Sequence, residues 1–396
     1  MIKIKDKTKC CGCFACMNAC PKNCIRMESD SEGFLYPKVE ESKCINCHLC
    51  EKVCPILNPK EEKPFEQKGY VVQNRNEQEL KESTSGGFFT PVAKYVIEHG
   101  GIVFGAAFDE NLKVVHIGID RKDELWKFRN SKYVQSEMGN CFSEIKKYLN
   151  IGRLVCFSGT PCQVEGLISF LGTSHDNLIL VDIVCRAVPS PLLWEKYKLY
   201  LRENKKIEFN YAMFRDKTIY DYNYSNISIR NNFDIKYHAG IEKDPYLNAF
   251  FSDICNRPSC YDCKFKKRYR ISDFTMWDCF TGKFSRKIKL SKGITRVLIN
   301  SEKGLRIFNI IEKNFVDEKV DSDQLVRGVY EMTKSVPYNK RERHQFFMDL
   351  SHDNINVFEK YFKCTLYSNI RALIRILLCK IHLTEFIKKI CQKKNS

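Results

Sequence analysis

Residues 10–21 read CCGCFACMNACP and residues 44–55 read CINCHLCEKVCP, so one cysteine pattern occurs twice. The shared spacing is C-x2-C-x2-C-x3-C-P, in which three cysteines on one tight loop bind three irons of a 4Fe-4S cluster. The fourth cysteine, before the proline, binds the other cluster when two such stretches occur together. The sequence therefore predicts two clusters with crossed ligand sets: Cys10, Cys13, Cys16 and Cys54 for one, and Cys44, Cys47, Cys50 and Cys20 for the other.

The competing interpretation of these cysteines is a pair of zinc sites. Tetrahedral zinc usually takes two C-x2-C pairs, which leaves no use for the third evenly spaced thiolate. Cys11 and Cys24 fall outside the spacing and are predicted to pack as small hydrophobic residues. His48 lies between two ligands and is predicted to be solvated or to support the cluster without coordinating it. We therefore predict a bacterial-type two-cluster ferredoxin domain, with an α+β ferredoxin-like fold, over residues 1–58.

Length and composition indicate a second, larger folded part. The chain has 396 residues, of which 43% are hydrophobic and 12% aromatic, so disorder is not expected. The sequence starts without the apolar stretch of a signal peptide and contains no run of roughly 18 apolar residues that could span a membrane. We predict a cytoplasmic location, where 21 cysteines point to metal binding and not to disulfides.

The formal net charge is +17, with the thiols counted as neutral. Each oxidised 4Fe-4S cluster with four thiolates contributes about −2, so the loaded protein is still basic. This balance favours an acidic redox partner, an anionic cofactor or a membrane surface. A nucleic-acid partner is not predicted, because no basic-aromatic recognition motif accompanies the charge.

Beyond Cys54, three prolines and four charged residues within residues 55–64 indicate a stiff linker, assigned to residues 59–68. Strand-like runs then alternate with helical periodicity, which predicts a mixed α/β domain. The predicted strands cover 70–72, 101–108, 154–157 and 178–184, and the predicted helices cover 88–98, 140–149, 161–171 and 190–204. The aromatic, short-period stretch 206–237 predicts antiparallel strands. Residues 336–396 are predicted to form a basic helical tail, with apolar residues from Ile370 to Ile381 on one helix face.

Five short motifs follow the linker in a fixed order: SGGFFT at 85–90, SKYVQ at 131–135, GTPCQ at 159–163, VDIVC at 181–185 and SCYDC at 259–263. Together they resemble the family of the beta subunits of coenzyme F-420 hydrogenases and dehydrogenases, over residues from about 70 to 285. The resemblance implies an N-terminal-like region at 69–150 and a C-terminal-like region at 151–335, both within an α/β flavoprotein domain.

The resemblance also implies FAD beside a further 4Fe-4S cluster. It assigns FAD to Ser85, Gly86, Gly87, Lys132, Tyr133 and Thr160, and the third cluster to Cys162, Cys185, Cys260 and Cys263. Glycines that open a helix expose N–H groups to a phosphate, although the same residues also suit an ordinary helix start. Lys132 is equally compatible with an exposed strand position. Cys255 and Cys279 are nearby substitutes for the third ligand set, and zinc or unliganded core cysteines remain alternatives.

Two departures from the family pattern affect the substrate end of the flavin site. Arg186-Ala187 replaces the usual His-Gly, and Trp277-Asp278-Cys279 replaces a Gly-Asp-aromatic sequence. Asp273 and Asp278 are predicted either to line that end or to serve as surface or capping residues. The basic run 264–270 is predicted either to attract an anionic cofactor or substrate, or to form a solvated face.

The predicted function is that of an iron-sulfur flavoprotein oxidoreductase. Electrons would pass between a redox partner, such as a ferredoxin-type donor, and a small substrate, either coenzyme F-420 or a sugar-linked compound of polysaccharide biosynthesis. No catalytic residue is assigned, because no Cys-His or Ser-His pair is legible. The alternatives are a carrier or adaptor without flavin, and a membrane-peripheral protein that lies on anionic lipid through its C-terminal basic helix.

Overall fold

The computed structural model describes residues 1–222, 224–232, 234–280, 282, 284–352 and 357–380. Its N-terminal part contains two antiparallel strands, β1 (Ile25–Ser29) and β2 (Leu35–Val39), and two short helices, α1 (Ala15–Asn18) and α2 (Leu49–Lys52). Each helix contains the third cysteine of one motif. The strand pair lies between the two motifs along the chain.

The two cysteine loops adopt the same backbone conformation. Gly12 and Asn46, at equivalent positions, have φ angles of 67° and 52°, and Phe14 and His48 have φ angles of 66° and 60°. Left-handed backbone is unfavourable for residues with a Cβ atom, so its recurrence at matched positions reflects a constraint that both loops share. The repeat in the sequence is therefore also a repeat in the structure.

The larger part of the molecule is built on an eight-stranded mixed sheet with a separate three-stranded antiparallel sheet. The strands are β3 (Lys68–Asn74), β4 (Ile102–Phe108), β5 (Val114–Ile119), β6 (Val155–Gly159), β7 (Leu178–Ile183), β8 (Tyr211–Met213), β9 (Asn226–Asn231), β10 (Asp234–Gly240), β11 (Phe274–Asp278), β12 (Thr295–Ile299) and β13 (Phe315–Val320). The large sheet has the order β13-β3-β12-β11-β7-β6-β4-β5, and β4, β6, β7 and β11 are parallel. The small sheet has the order β10-β9-β8.

Helices cover the large sheet and form the C-terminal segment. They are α3 (Glu77–Glu82), α4 (Phe89–Glu98), α5 (Cys141–Asn150), α6 (Pro161–Leu171), α7 (Pro191–Glu203), α8 (Pro245–Phe251), α9 (Glu302–Ile311), α10 (Ser322–Val326), α11 (Tyr330–Thr333), α12 (Lys340–His352), α13 (Val357–Phe362) and α14 (Leu366–Lys380). The four helices predicted from periodicity correspond to α4, α5, α6 and α7. Ile381, the last apolar residue of the predicted tail pattern, lies outside the described residues.

The prediction of a mixed α/β fold is confirmed, and β7 shows its physical basis. Leu178 and Leu180 pack in the core that contains α6, whereas Ile179 and Val181 pack in the opposite core that contains α4. An apolar run without alternation is expected where a strand is buried on both faces. The aromatic stretch after residue 206 forms the predicted antiparallel strands β8, β9 and β10.

The boundary predicted between residues 150 and 151 falls inside one sheet. Strands β3, β4 and β5 come from the first predicted region and β6, β7 and β11 to β13 from the second. Strand β3 lies between β12 and β13. Residues 59–67 contain no helix or strand, consistent with the predicted linker.

The N-terminal domain is packed against the large domain through a continuous apolar contact. Phe34 is fully buried in a core that includes Leu193 and Trp194 of α7. Its ring centroid lies 6.2 Å from that of Phe347 in α12. Nearby, Arg343 donates to both carboxylate oxygens of Glu32. The two cysteine loops are therefore held against the large domain at a defined position.

Phe34→Ala is expected to destabilise the protein by about 3–5 kcal/mol, because it removes a fully buried ring and leaves a cavity at the domain contact. Chemical denaturation of the full chain, followed by tyrosine and tryptophan fluorescence, measures the effect. Ile151→Ala is the matched control, since the Ile151 side chain is 75% exposed and its loss should change stability by less than about 0.5 kcal/mol. Equal stability of the two variants would show that Phe34 does not hold the domains together.

Candidate functional site

Four cysteines from both motifs line one cavity at the surface of the N-terminal domain. Cys20 comes from the first motif, and Cys44, Cys47 and Cys50 come from the second. The cavity has a volume of about 20 Å³, and its remaining lining includes Met1 and Val39. The four cysteines of the crossed set predicted for the second cluster therefore line one cavity, together with Cys24, whose sulfur atom lies 3.3 Å from that of Cys20.

The thiols of the other predicted crossed set lie close enough for their charges to interact. Burial raises the pKa of the Cys16 thiol, and negative charge on Cys13, Cys10 and Cys54 raises it further. Burial likewise raises the pKa of Cys54, which lies close enough to Cys13 and Cys10 to interact with both. Buried thiols that disfavour each other's ionisation need a cationic partner to become thiolates, which is what cluster iron provides.

A third group of four cysteines converges at the edge of the large sheet. Cys162 lies in the first turn of α6 and Cys185 follows β7, while Cys260 and Cys263 belong to the tight turn that begins at Pro258. Burial raises the pKa of Cys185, with further increases from negative charge on Cys260, Cys162 and Cys263. These four thiols, distant in the sequence, are therefore close enough for their charges to interact, and their binding of one cluster remains a prediction.

The two cysteines considered as substitutes have other contacts. Cys255 is buried, and its thiol donates to the backbone carbonyl of Ala249 at 3.3 Å. Cys279 accepts a hydrogen bond from Nε of Arg296 at 3.3 Å and packs in the core beside β12. Neither contact involves a cysteine of the third group, so Cys162, Cys185, Cys260 and Cys263 remain the predicted ligands.

Cys11 connects the first and third cysteine groups. Its thiol is hydrogen-bonded to the thiols of Cys13 and Cys162, and these two contacts raise its pKa well above the usual value. The contact with Cys11 is also the main reason that the pKa of Cys162 is lowered to about 7. Cys11 is buried, as expected, but it lies between two predicted ligand sets, which the spacing did not indicate.

The close approach of the two groups requires a glycine in α6. A Cβ atom at Gly166 would lie 2.8 Å from Cβ of Cys13 and 3.0 Å from its sulfur atom. These distances are shorter than normal carbon contacts, so a side chain at this position would displace the cysteine loop. The packing of α6 therefore determines how closely the N-terminal domain approaches the third cysteine group.

The glycines assigned to FAD have structural roles within the chain. The N–H group of Gly86 donates to Oγ1 of Thr295 at 2.8 Å, and a Cβ atom there would lie 2.2 Å from the carbonyl oxygen of Val72. Gly87 has a φ angle of 75°. Ser85 contacts Thr295 through its hydroxyl group at 2.8 Å. The two glycines thus allow the turn before α4 to pack on β3 and β12, and phosphate contact remains a prediction.

Three other residues are assigned to FAD, and they lie close to the edge of the large sheet that carries the third cysteine group: Lys132, Tyr133 and Thr160. Nζ of Lys132 donates to three backbone carbonyls, at 2.7, 2.9 and 3.2 Å, and burial lowers its pKa to about 7. Tyr133 stacks on Phe250 with ring centroids 4.2 Å apart. Thr160 caps α6, and its hydroxyl lies 3.1 Å from the sulfur atom of Cys162. Thr160 is therefore placed beside the third cysteine group.

Two basic residues that were not predicted from the sequence lie at the same edge of the large sheet: Arg215 and Lys217. Arg215 is buried and forms an ion pair with Asp278 at 2.9 Å, and its Nη2 atom has no hydrogen-bond partner among the described residues. Nζ of Lys217 donates to the carbonyl of Ser85 at 2.5 Å, and burial lowers its pKa to about 7. In the sequence, these two residues are seen only as charged positions within an otherwise aromatic segment. Such positions are too common to indicate a site.

Asp273 and the basic run have mainly structural contacts. The Asp273 carboxylate accepts from the backbone N–H of Leu180 and from the hydroxyl of Ser301, the residue that caps α9. In the basic run, Lys267 pairs with Glu165, and Arg270 pairs with the buried Asp182. These ion pairs attach the segment to α6 and β7. Lys267 and Arg270 are therefore used within the protein and are neither unpaired cations that could attract an anion nor part of a solvated surface.

Two family models match parts of the chain. Residues 9–57 match a family model described as a 4Fe-4S dicluster domain, and residues 152–323 match one that describes the C terminus of the coenzyme F420 hydrogenase/dehydrogenase beta subunit. One similar solved structure is that of the F420-reducing [NiFe] hydrogenase complex from Methanosarcina barkeri. It is 14% identical, with a TM-score of 0.43, over 76% of this chain and 94% of that chain. No curated protein matches.

The protein is thus an iron-sulfur, oxidoreductase-like electron-transfer protein. Residues 9–57 are a 4Fe-4S dicluster domain, and residues 152–323 are related to the C terminus of the coenzyme F420 hydrogenase/dehydrogenase beta subunit. The resemblance predicted from the five motifs is confirmed.

Cys20→Ala is expected to damage the cluster held by Cys44, Cys47 and Cys50, because Cys20 lines their cavity and not that of its own motif. Iron analysis and electron paramagnetic resonance of protein purified without oxygen measure the loss. Cys24→Ala is the matched control, since Cys24 also lines this cavity but falls outside the ligand pattern. Loss confined to the cluster of Cys10, Cys13 and Cys16 would show that the crossed assignment is wrong.

Proposed function

We propose that this protein is an iron-sulfur flavoprotein oxidoreductase that passes electrons between a redox protein and a small substrate. The observation that carries the proposal is the contact of Cys11 with both Cys13 and Cys162. This contact brings a third set of four cysteines next to the dicluster domain. Electron transfer between separate centres depends on short distances, so the arrangement suits a relay better than isolated structural metal sites.

In this proposal the chain's own residues hold and separate the centres. The N-terminal crossed sets hold two 4Fe-4S clusters, and Cys162, Cys185, Cys260 and Cys263 hold the third. The backbone carbonyls of Cys185 and Arg186 accept from Lys266, which keeps the loop after β7 in place. The fold of α6 keeps the third set against the first.

FAD, when bound, would exchange single electrons with the clusters and a hydride with the substrate. The residues at the carboxyl ends of the parallel strands fit an anionic cofactor. Arg215 has an unused buried donor and contacts one carboxylate, Asp278, and an anionic ligand would favour the protonated form of Lys217, whose pKa burial lowers to about 7. Buried donors without partners are unfavourable unless a ligand accepts from them. Open α/β sheets commonly bind ligands at this edge.

The substrate proposed for this site is coenzyme F-420 or a sugar-linked compound of polysaccharide biosynthesis, as the family resemblance implies. The matched family is described by its coenzyme, F420, which supports the first possibility. Arg186 differs from the family pattern and is held in an ion pair with Asp253, with a shortest distance of 2.5 Å. The rival function is a carrier or adaptor that uses the large domain only to bind partners and has no flavin.

Full-length protein purified without oxygen is expected to contain about twelve irons and FAD. Replacing Cys260 and Cys263 together with alanine should remove about four irons and leave the N-terminal signals unchanged. In that variant, reduction of FAD by a dithionite-reduced ferredoxin should slow at least tenfold, because the relay is interrupted. Iron analysis, acid extraction of flavin and anaerobic stopped-flow absorbance provide the measurements.

Cys255→Ala is the control for this experiment, because Cys255 is an adjacent buried cysteine outside the proposed ligand set. Unchanged iron in the double variant would remove Cys260 and Cys263 from the ligand set. Protein with intact clusters that neither retains nor takes up FAD would favour the carrier.

We also propose that the protein works in the cytoplasm and contacts the membrane surface through α14. Among the described residues, no helix is both long and apolar enough to cross a membrane. Helix α14 rests on the body of the protein through Ala372 and Cys379, and Arg375 pairs with Glu242 at 3.1 Å. Its large apolar side chains are exposed instead: Leu366, Tyr367, Ile370, Leu373, Ile374 and Leu377.

The charge around this exposed apolar face supports lipid as its partner. Residues 363–396 contain eight Lys and Arg residues and one acidic residue, Glu385. Apolar side chains next to basic residues are typical of helices that lie on anionic membranes. Helices that only pack on their own protein normally bury the apolar face.

The full-length protein is expected to cosediment with vesicles of phosphatidylglycerol and phosphatidylcholine, and much less with phosphatidylcholine alone. Combined Leu373→Glu and Leu377→Glu changes should reduce the bound fraction at least fivefold, because they place carboxylates on the apolar face. Ile151→Glu, at an exposed apolar position outside α14, is the control. Equal sedimentation of all three proteins would contradict the proposal, and a purified dimer that loses its contact in the double variant would assign the face to a second copy.

A further inference from the structure

Arg257 is fully buried between the two domains, and its guanidinium donates only to neutral acceptors and a thiol. Nε donates to the carbonyl oxygen of Cys10 at 2.8 Å, Nη2 to that of Leu35 at 3.0 Å, and Nη1 to Oε1 of Gln135 at 2.9 Å. The guanidinium carbon lies 4.3 Å from the centre of the Tyr36 ring. The bonds to Cys10 and Leu35 join the large domain to the N-terminal domain. The bond to Gln135 holds the guanidinium in place from within the large domain.

The charge of Arg257 lacks a carboxylate partner. Within the described part of the chain, no Asp or Glu oxygen lies within 4.0 Å of its guanidinium. The other deeply buried arginines do have such partners: Arg343 pairs with Glu32, and Arg270 pairs with Asp182. A buried guanidinium without a counter-charge is strongly unfavourable, so its position requires negative charge from another source.

The nearest source of that charge is the first cysteine set. Nη2 of Arg257 lies 3.5 Å from the sulfur atom of Cys10. The backbone carbonyl of Arg257 accepts from the N–H of Cys260, so the same residue also contacts the third set. Burial raises the pKa values of Cys10 and Cys260, and the positive charge of Arg257 opposes the rise in both. One fixed cation therefore acts on both cysteine groups.

We propose that Arg257 is a positioning residue that supplies the buried counter-charge for the cluster held by Cys10, Cys13, Cys16 and Cys54, and thereby raises its reduction potential. This inference rests on the electron-transfer function proposed above. Reduction adds one electron from the redox partner to the cluster and makes or breaks no bond. The reduced cluster carries one more negative charge than the oxidised cluster, so a nearby fixed cation stabilises the reduced form more.

Arg257→Met tests the proposal by removing the charge while keeping an apolar stem of similar length. In redox titrations followed by electron paramagnetic resonance, one cluster should become harder to reduce. The ratio of its reduced to oxidised forms at a fixed potential should fall at least tenfold, which corresponds to about 59 mV for one electron. Arg257→Lys keeps the charge and should retain most of the wild-type potential.

Gln135→Glu provides a second test that leaves the arginine in place. A carboxylate at this position would accept from Nη1 of Arg257 and neutralise its charge, so it should shift the same cluster in the same direction. This variant decides the question if Arg257→Met fails to incorporate iron. Arg343→Met is the matched control, because it removes a buried arginine at the same domain contact whose charge is already balanced by Glu32.

The proposal is wrong if Gln135→Glu retains its iron and has wild-type potentials, because Arg257 would then only hold the domains together. An equal shift in Arg343→Met would also overturn it, since any loosening of the contact would then lower the potential. These measurements use the cluster signals of the full chain and need neither flavin nor substrate. A missing FAD or third cluster would therefore count against the proposed function without affecting this result.

Discussion

The close approach of Cys13 to Gly166 is the contact on which the arrangement of the whole molecule depends. It places a cysteine loop of the dicluster domain directly on α6, whose first turn carries Cys162. Cys11 fills the remaining space and contacts sulfur atoms on both sides. Protein interiors are closely packed, so a shift of either element would be transmitted to both cysteine groups. The contact between the two domains therefore also sets the distance between the proposed redox sites.

The distribution of buried charge divides the large domain into two regions. Beside the cysteine groups, Arg257 contacts thiols and carbonyls and has no described carboxylate partner. At the carboxyl edge of the sheet, Arg215 and Lys217 stand near a single contacting carboxylate, Asp278. In both regions, the basic side chains outnumber the carboxylates that contact them among the described residues. Anionic clusters at the first region and an anionic cofactor at the second would restore that balance.

The sequence predicted the elements of the fold better than their neighbours in the sheet. Apolar periodicity located α4, α5, α6 and α7, because each helix buries one face and its pattern is local. The sequence did not show that strands on both sides of residue 150 belong to one sheet, because the pairing of β3 with β12 joins residues more than 200 positions apart. Arg215 and Lys217 were not predicted from the sequence, because their importance comes from burial, which a short group of charged residues does not reveal.

The sequence by itself determined the repeated cysteine spacing from which two crossed ligand sets are predicted, since this spacing is short enough to be read directly from the chain. Its five ordered motifs also predicted the resemblance to coenzyme F420 hydrogenase/dehydrogenase beta subunits, which the family match over residues 152–323 supports. Only the tertiary structure brought Cys162, Cys185, Cys260 and Cys263 together, placed Cys11 between two sets, and left Arg257 without a carboxylate among the described residues. These features depend on which strands are neighbours in the sheet and on how closely two domains pack. Such long-range contacts are set by the shape of the folded protein and leave no local pattern in the sequence.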